Sequence, residues 1–313
     1  MHFDIRPKPM TIEHFATAKR RGLHLTVFAS REEDVEKRVK WAVETVAQAE
    51  ALTLLGRTFF QRIDILVPAA HTRWVDRDCG KTKDALVAAL KSRKIVNIQE
   101  DDGDIFAGIR NMALAIQSRN GIDYLMTLSP DARSYMNQET IDGIVEAVCD
   151  GATVVGVAIG EIKQSILAGR IAATFALWNV GAMISVGGFD IGAAGKTIDE
   201  KESDFVFGTN IVHGTSPVAG DVSYALAGVE EMVPLASLVK KFGQCIAPIL
   251  PRGEGVKHYQ MPDPIKEREA WLRAQSKFAT KYGRQLAHLH RVKRDLTYLW
   301  GGVMTKYQHP EAA

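Results

Sequence analysis

Short apolar runs alternate with longer amphipathic stretches through the first half of this chain. Residues 23–30, LHLTVFAS, read as a buried strand. Glu32, Glu33 and Asp34 follow at the start of a helix, where acidic side chains favour the macrodipole. That helix spans 35–52 and carries Val35, Val39, Val43 and Val46 on one face. Residues 62–70 form the next strand, with Pro68 near its end. A polar loop leads to a helix over 84–92, and 94–99 is a short strand. Glu100-Asp101-Asp102-Gly103 turns the chain into a helix that ends at Asn120-Gly121. The apolar run 122–128 then delivers Ser129, Pro130 and Asp131 at its end. A helix opening at Gln138-Glu139-Thr140 and a strand over 151–160 complete the regular part.

Short runs rich in β-branched residues, each followed by a helix, predict an α/β fold. Its central sheet is largely parallel and covered by helices on both faces. In such sheets ligands bind beyond the carboxyl ends of the strands. Ser30, Ala69-Ala70, Gln99 and Ser129 to Asp131 are candidates by that position alone. The second half is less regular: 170–190 mixes apolar residues with a glycine pair, and 234–251 is apolar and then broken by prolines. Three parts are expected: an arm over 1–22, a domain over 23–232, and a C-terminal helical extension over 233–313.

Composition narrows the function classes. The 313 residues are 46% hydrophobic and 24% charged, with a net charge of +2, so no global attraction to nucleic acid or membrane is expected. Cys79, Cys149 and Cys245 are widely spaced and suit neither a disulfide framework nor a zinc site. The first residues have no apolar core of a signal peptide, and no segment reaches the roughly 18 apolar residues of a membrane span. A cytoplasmic protein is the expectation. Lys266, Arg268, Arg273, Lys277, Lys281, Arg284, Arg291, Lys293 and Arg294 give the C-terminal region a basic face. It reads as a solvated amphipathic helix whose Trp271, Phe278, Tyr282 and Leu286 face the core, or as a contact for an anionic acceptor, a membrane surface or a partner chain.

Four local segments carry candidate chemistry: Arg110-Asn111 early in a helix; Ser129-Pro130-Asp131 at a strand end; Trp178-Asn179-Val180-Gly181-Ala182 with Val186-Gly187-Gly188-Phe189-Asp190; and Glu202-Ser203-Asp204 with Phe207-Gly208. Each has a plain reading as well. Ser-Pro-Asp suits any strand-to-helix turn, and a glycine pair suits a buried hairpin. In this order and spacing, over roughly residues 23–215, they resemble the nucleotide-binding and acceptor segments of family-2, GT-A-type glycosyltransferases. In that family an Arg-Asn helix leads to a strand ending in Asp-x-Asp, a Gly-Gly-Phe-Asp loop follows, and a Glu-Asp pair comes after it. Here Ser129-Pro130-Asp131 stands where Asp-x-Asp is expected.

The resemblance implies a transferase that moves a sugar from a nucleotide-diphosphate sugar to an unknown acceptor by direct, inverting displacement. Ala29, Ser30, Glu33, Arg110, Ser129 and Asp131 would contact the nucleotide sugar. Trp178, Asn179 and Gly181 would line the acceptor site. Asp204 would be the catalytic base, with Glu202 and Ser203 an alternative register one residue earlier. Magnesium or manganese would be held by Asp131, with His213 a further ligand. Val67-Pro68-Ala69-Ala70 lacks the usual base-binding Asp, and Glu32, Glu33 or Asp102 could take its place. The altered Ser129, Ala69-Ala70 and Ser203 keep open the alternative of an inactive GT-A-fold binding or assembly protein. The donor, the acceptor and homo-oligomerisation stay open.

Overall fold

The computed structural model describes residues 7–27, 29, 32–68, 79–101, 107–158, 171–190, 230–254, 256, 263–272, 285, 288–289 and 292–308. In chain order the elements are α1 (Ile12–Ala18), β1 (Arg21–Thr26), α2 (Val35–Ala51), a hairpin of β2 (Thr53–Leu54) and β3 (Arg57–Thr58), β4 (Arg62–Pro68) and α3 (Cys79–Leu90). β5 (Val96–Asp101), α4 (Ala107–Arg119), β6 (Tyr124–Leu128), a 3-10 turn (Pro130–Tyr135), α5 (Gln138–Cys149) and β7 (Val154–Ala158) follow. Then come β8 (Ile171–Asn179), α6 (Val180–Ile184), α7 (Met232–Phe242), β9 (Ile246–Ile249) and α8 (Leu296–Gly301).

Among the described residues, seven strands form one sheet in the order β5-β4-β1-β6-β8-β7-β9. The expected largely parallel sheet with helices on both faces is present. One strand departs from it: β8 runs antiparallel to both β6 and β7. The chain builds outward from β1 through β4 to β5, then returns to place β6 on the other side of β1. This reversal is the topological switch point, and the crevice beyond the carboxyl ends of β1 and β6 is where such sheets bind ligands.

Alternation along the strands gives the sheet two unlike faces. Leu23, Leu25, Ile63, Ile65, Val67, Tyr124, Met126 and Leu128 join one large apolar cluster with residues of α2 and α5. The opposite face joins a second cluster with α4, α6 and α7. Residues 12–18 are helical rather than irregular; Thr11 caps them by accepting from the His14 N–H at 3.1 Å, and Phe15 is wholly buried. The prolines of 234–251 do not break the sheet. Pro248 lies within β9, which pairs with β7 at the end of the sheet, where a residue without an N–H is tolerated.

Candidate active site at the strand switch point

Thr26 and Ser129 stand at the carboxyl ends of β1 and β6, at the crevice. Leu25 of β1 is in register with Leu128 of β6, so Thr26 stands beside Ser129 one step further on. Ser129 is extended; its N–H donates to the Thr174 carbonyl at 2.9 Å, and Pro130 then starts the 3-10 turn. The Ser129 hydroxyl is buried with no hydrogen-bond partner among the described residues. Asp131 is the second residue of that turn; its side chain lies outside the described set.

Below the crevice, polar side chains cross the face that α4 covers. Asn97, Asp64, His24 and Thr127 occupy one row of register partners over four adjacent strands. A parallel sheet covered on both faces is normally apolar there, so each group needs a partner. Asp64 is fully buried and accepts from Arg62 Nε at 3.0 and 2.9 Å and from Asn97 Nδ2 at 2.9 Å. Gln117 of α4 also donates to it. Gly22 makes that reach possible, because a Cβ at this position would collide with the Gln117 amide. Thr127 accepts from the Trp178 indole N–H at 3.0 Å. His24 Nε2 lies 3.0 Å from the Thr26 hydroxyl. Burial, and then the charge of Arg110, push the His24 imidazole down to about 3, so the ring is neutral at physiological pH.

The start of α4 is locked to the glycine loop. Asn111 Nδ2 donates to the Phe189 carbonyl at 2.9 Å, and the Phe189 N–H donates back to Asn111 Oδ1 at 2.7 Å. Gly188 has φ +75°, and a Cβ there would occupy the place of the Asn111 side-chain oxygen. The Phe189 ring packs edge-on to Trp178 at 5.0 Å, with the Arg110 guanidinium 5.7 Å from its centre. Arg110 forms an ion pair with Glu230, both largely buried. The Asp190 N–H donates to the Glu230 carbonyl at 3.3 Å, and Asp190 Oδ2 lies 3.9 Å from Nδ1 of the buried His288.

The structure thus gathers Arg110, Asn111 and the Gly-Gly-Phe-Asp loop into one cluster, and places Ser129 at the carboxyl ends. Ala29 is buried just beyond β1, and Glu33 is exposed in the turn before α2. Trp178, Asn179 and Gly181 fall elsewhere. Asn179 is in register with Tyr124 at the start of β6, about 17 Å along the strand from Ser129 at ~3.3 Å per residue. Trp178 is wholly buried, and Asn179 caps α6 by accepting from the Ala182 N–H at 2.8 Å. In these positions they anchor the glycine loop. Ser30, Asp204 and His213 lie outside the described residues. A cleft of about 490 Å³, lined by Val35, Glu36, Val39, Lys40, Lys81 and Ala85, opens between the first turns of α2 and α3.

The sequence reading missed His24, Thr26, Asp64, Gln117, Glu230 and His288. For the first three the signal was there: LHLT, RIDIL and LMTLS each place polar residues at every second position of an apolar run, on the same face of neighbouring strands.

No protein-family model matches the sequence, and no curated protein is found similar to it. Among solved structures, the chain is similar first to nucleotide-handling transferases. One is a cytidylyltransferase from Leptospira borgpetersenii, at 10% identity and TM-score 0.33, over 53% of this chain and 62% of that one. Another is 4-diphosphocytidyl-2C-methyl-D-erythritol synthase from Anaerococcus prevotii, at 9% identity and TM-score 0.33, over 55% of this chain and 75% of that one. A mannosyltransferase from Pyrobaculum calidifontis, solved with GDP-Man and Mn2+, is similar over 95% of this chain and 81% of its own at 12% identity and TM-score 0.39. This chain spans less than two thirds of the cytidylyltransferase. At these scores and identities nothing about activity passes from those proteins to this one.

Proposed function

We propose that this chain is a nucleotide-sugar-dependent glycosyltransferase that binds its donor in the crevice beyond β1 and β6. The observation that carries the reading is the reciprocal pair of hydrogen bonds between Asn111 and Phe189. Two segments that resemble the transferase pattern, 78 residues apart, are thereby fastened together beside the switch point.

In this reading Arg110, Ser129 and Asp131 face the diphosphate, with Ala29, Ser30 and Glu33 toward the nucleoside. Asp204 takes the proton of the acceptor hydroxyl. The acceptor oxygen attacks the anomeric carbon, and the sugar–phosphate bond breaks with its electron pair leaving on the nucleoside diphosphate, which inverts the sugar. A magnesium or manganese ion fits the donor chemistry in part: Ser129 offers a neutral, partnerless oxygen, Asp131 one carboxylate, and His213 a further ligand, so the phosphates would supply the rest. Bound there, the ion would neutralise charge on the leaving diphosphate.

The second reading, a non-catalytic binding module, is favoured by one contact: Arg110 is already engaged by Glu230. Calorimetric titration with UDP, GDP, CDP and ADP and their sugars, with and without manganese, separates the two. The transferase reading expects binding, and donor turnover that falls about 10²–10⁴-fold in Asp204→Asn, the range of a general base. Binding without any turnover supports the module, and no binding at millimolar ligand removes both.

A further inference from the structure

The sheet ends differently on its two sides. At β9, Pro248 removes one backbone donor, Gly302 and Met304 bond to Cys245 and Ile246, and Val303 bridges Ile246. Such devices keep an edge from pairing with another chain. At the other end β5 contains no proline, and among the described residues no strand lies beyond it.

Register shows which backbone groups β5 leaves open. Ile63 of β4 is in register with Val96, and the Ile63 N–H donates to the Ile95 carbonyl at 2.8 Å. In a parallel ladder a residue bonds to the two neighbours of its partner. Ile95, Asn97 and Gln99 therefore turn their backbone groups to β4, while Val96, Ile98 and Glu100 turn theirs outward. The Val96 and Ile98 side chains are half-buried against the apolar cluster that contains Leu86 and Leu90 of α3.

Helix α3 leaves an apolar side chain above the same edge. Thr82, Leu86 and Leu90 are its buried stripe. Lys81 and Ala85, one position earlier, line the cleft toward α2. Lys83 and Val87, one position later, fall about 100° to the other side, and Lys83 Nζ lies 3.2 Å from the Glu100 carboxylate of β5. Val87 follows Lys83 by one turn, about 6 Å, and Ile98 lies about the same distance back along β5 from Glu100. Val87 thus stands at the level of Ile98, and it is 46% exposed.

Charge along the open edge reverses from end to end. Lys91, Arg93 and Lys94 precede the strand, and Glu100, Asp101 and Asp102 close it. Charged residues on an edge commonly block pairing. Here an antiparallel second copy sets the basic end of each strand against the acidic end of the other. With the two-fold axis at Asn97, the outward backbone groups of Val96 meet those of Ile98 in the second copy, and Lys94 faces Glu100. Opposite charges across a strand pair attract where like charges repel. Lys94 is exposed and makes no ion pair among the described residues. An axis at Ile98 would instead oppose Val96 to Glu100, so charge selects the first register. The same axis keeps both copies of α3 on one face and brings their Val87 side chains together above the new strand pair. We infer that this chain forms a closed dimer with a second copy of itself through antiparallel pairing of β5, which joins the two sheets into one.

Sedimentation equilibrium of the full chain over a concentration series, at low ionic strength, tests it. Wild type should reach twice the mass of one chain. Glu100→Lys and Lys94→Glu each set like charges opposite one another at both ends of the strand pair. Each should raise the dimer dissociation constant about tenfold, and added salt should narrow the difference. Mixed in equal amounts, the two variants should associate within about threefold of wild type, because each supplies the charge the other lacks. Val87→Lys should weaken the dimer as the single charge variants do. A thermal melt of each variant shows that it is folded. A wild-type chain that stays monomeric throughout overturns the inference. So does a charge variant that dimerises as tightly as wild type, or a mixture that associates no more tightly than each variant alone.

Discussion

At the residue scale, the buried polar groups make the stability of this molecule depend on pH. His24 is the clearest case, because its folded and unfolded states take up protons at different pH. In the folded chain burial and Arg110 keep it neutral down to about pH 3, whereas an unfolded histidine protonates near 6.5. Above pH 6.5 neither state carries the extra proton, so the folded state is undiminished there. As pH falls from about 6.5 toward 3 the unfolded state binds the proton and the folded state does not, so stability is lost across that window. Urea denaturation of wild type and His24→Gln at pH 7.0, 5.5 and 4.5 should show a wild-type loss steeper than that of the variant, the gap widening toward low pH to a few kcal/mol. Parallel curves for the two would remove the claim that His24 is buried neutral. The same residue shows why part of the site escaped the sequence. A histidine and an aspartate inside apolar runs read as strand residues of average character. Their meaning comes from register, which brings Asn97, Asp64, His24 and Thr127 into one row.

At the scale of elements, what could be read was what depends on local periodicity. The helices over 35–51, 107–119 and 138–149 and the strands over 62–68 and 124–128 fall where the apolar spacing puts them. The direction of β8 did not follow, because antiparallel and parallel strands buried on both faces share one apolar pattern. The β2–β3 hairpin was missed because its turn is Leu55-Gly56, both with positive φ, where the usual signal is Asn-Gly or Asp-Gly. The contact between α4 and the glycine loop was half legible: the sequence supplied Asn111 and Gly188, and only the fold shows that the one fills the space left by the other. That contact can be isolated. Gly187 and Gly188 both have positive φ, at +92° and +75°, but only Gly188 faces Asn111. Gly187→Ala should cost only backbone strain, about 1 kcal/mol, and Gly188→Ala about 2–3 kcal/mol in chemical denaturation. Removing the obstructing amide with Asn111→Ala should make the Gly188→Ala cost shrink toward that of Gly187→Ala, a non-additivity expected of groups in contact. Strict additivity would mean that the loop is not held by α4.

At the scale of the whole molecule, the question is whether the chain divides near residue 232. The apolar and basic patterning predicts a helical extension over 233–313, and the structure shows how described residues beyond 233 meet the sheet. β9 pairs with β7, Val303 bridges to Ile246, and the Cys245 and Ile246 N–H groups donate to the Gly302 carbonyl at 2.8 and 3.0 Å. Val303 and Tyr307 belong to the same apolar cluster as β1, β4 and β6, and the Tyr307 hydroxyl donates to Asp150, the C-cap of α5, at 2.8 Å. Leu299 of α8 and Val303 are both 0% exposed, and burying each contributes about 1.5–3 kcal/mol. From these contacts we expect the C-terminal residues to unfold as one cooperative unit with the β7–β9 side of the sheet. A chain ended at residue 294 loses α8, Val303 and Tyr307 together. Its urea midpoint should fall, and amide exchange at β7 and β9 should approach that of local opening, while β4 and β5 at the far end of the sheet keep more of their protection. The crevice proposed to bind the nucleotide lies between those two ends, on β1 and β6, so on that proposal a nucleoside diphosphate at saturating concentration should restore part of the lost midpoint by mass action. An independent extension would behave otherwise: the shortened chain would keep both its midpoint and its β7 and β9 protection, and nucleotide would stabilise it no more than it stabilises the full chain.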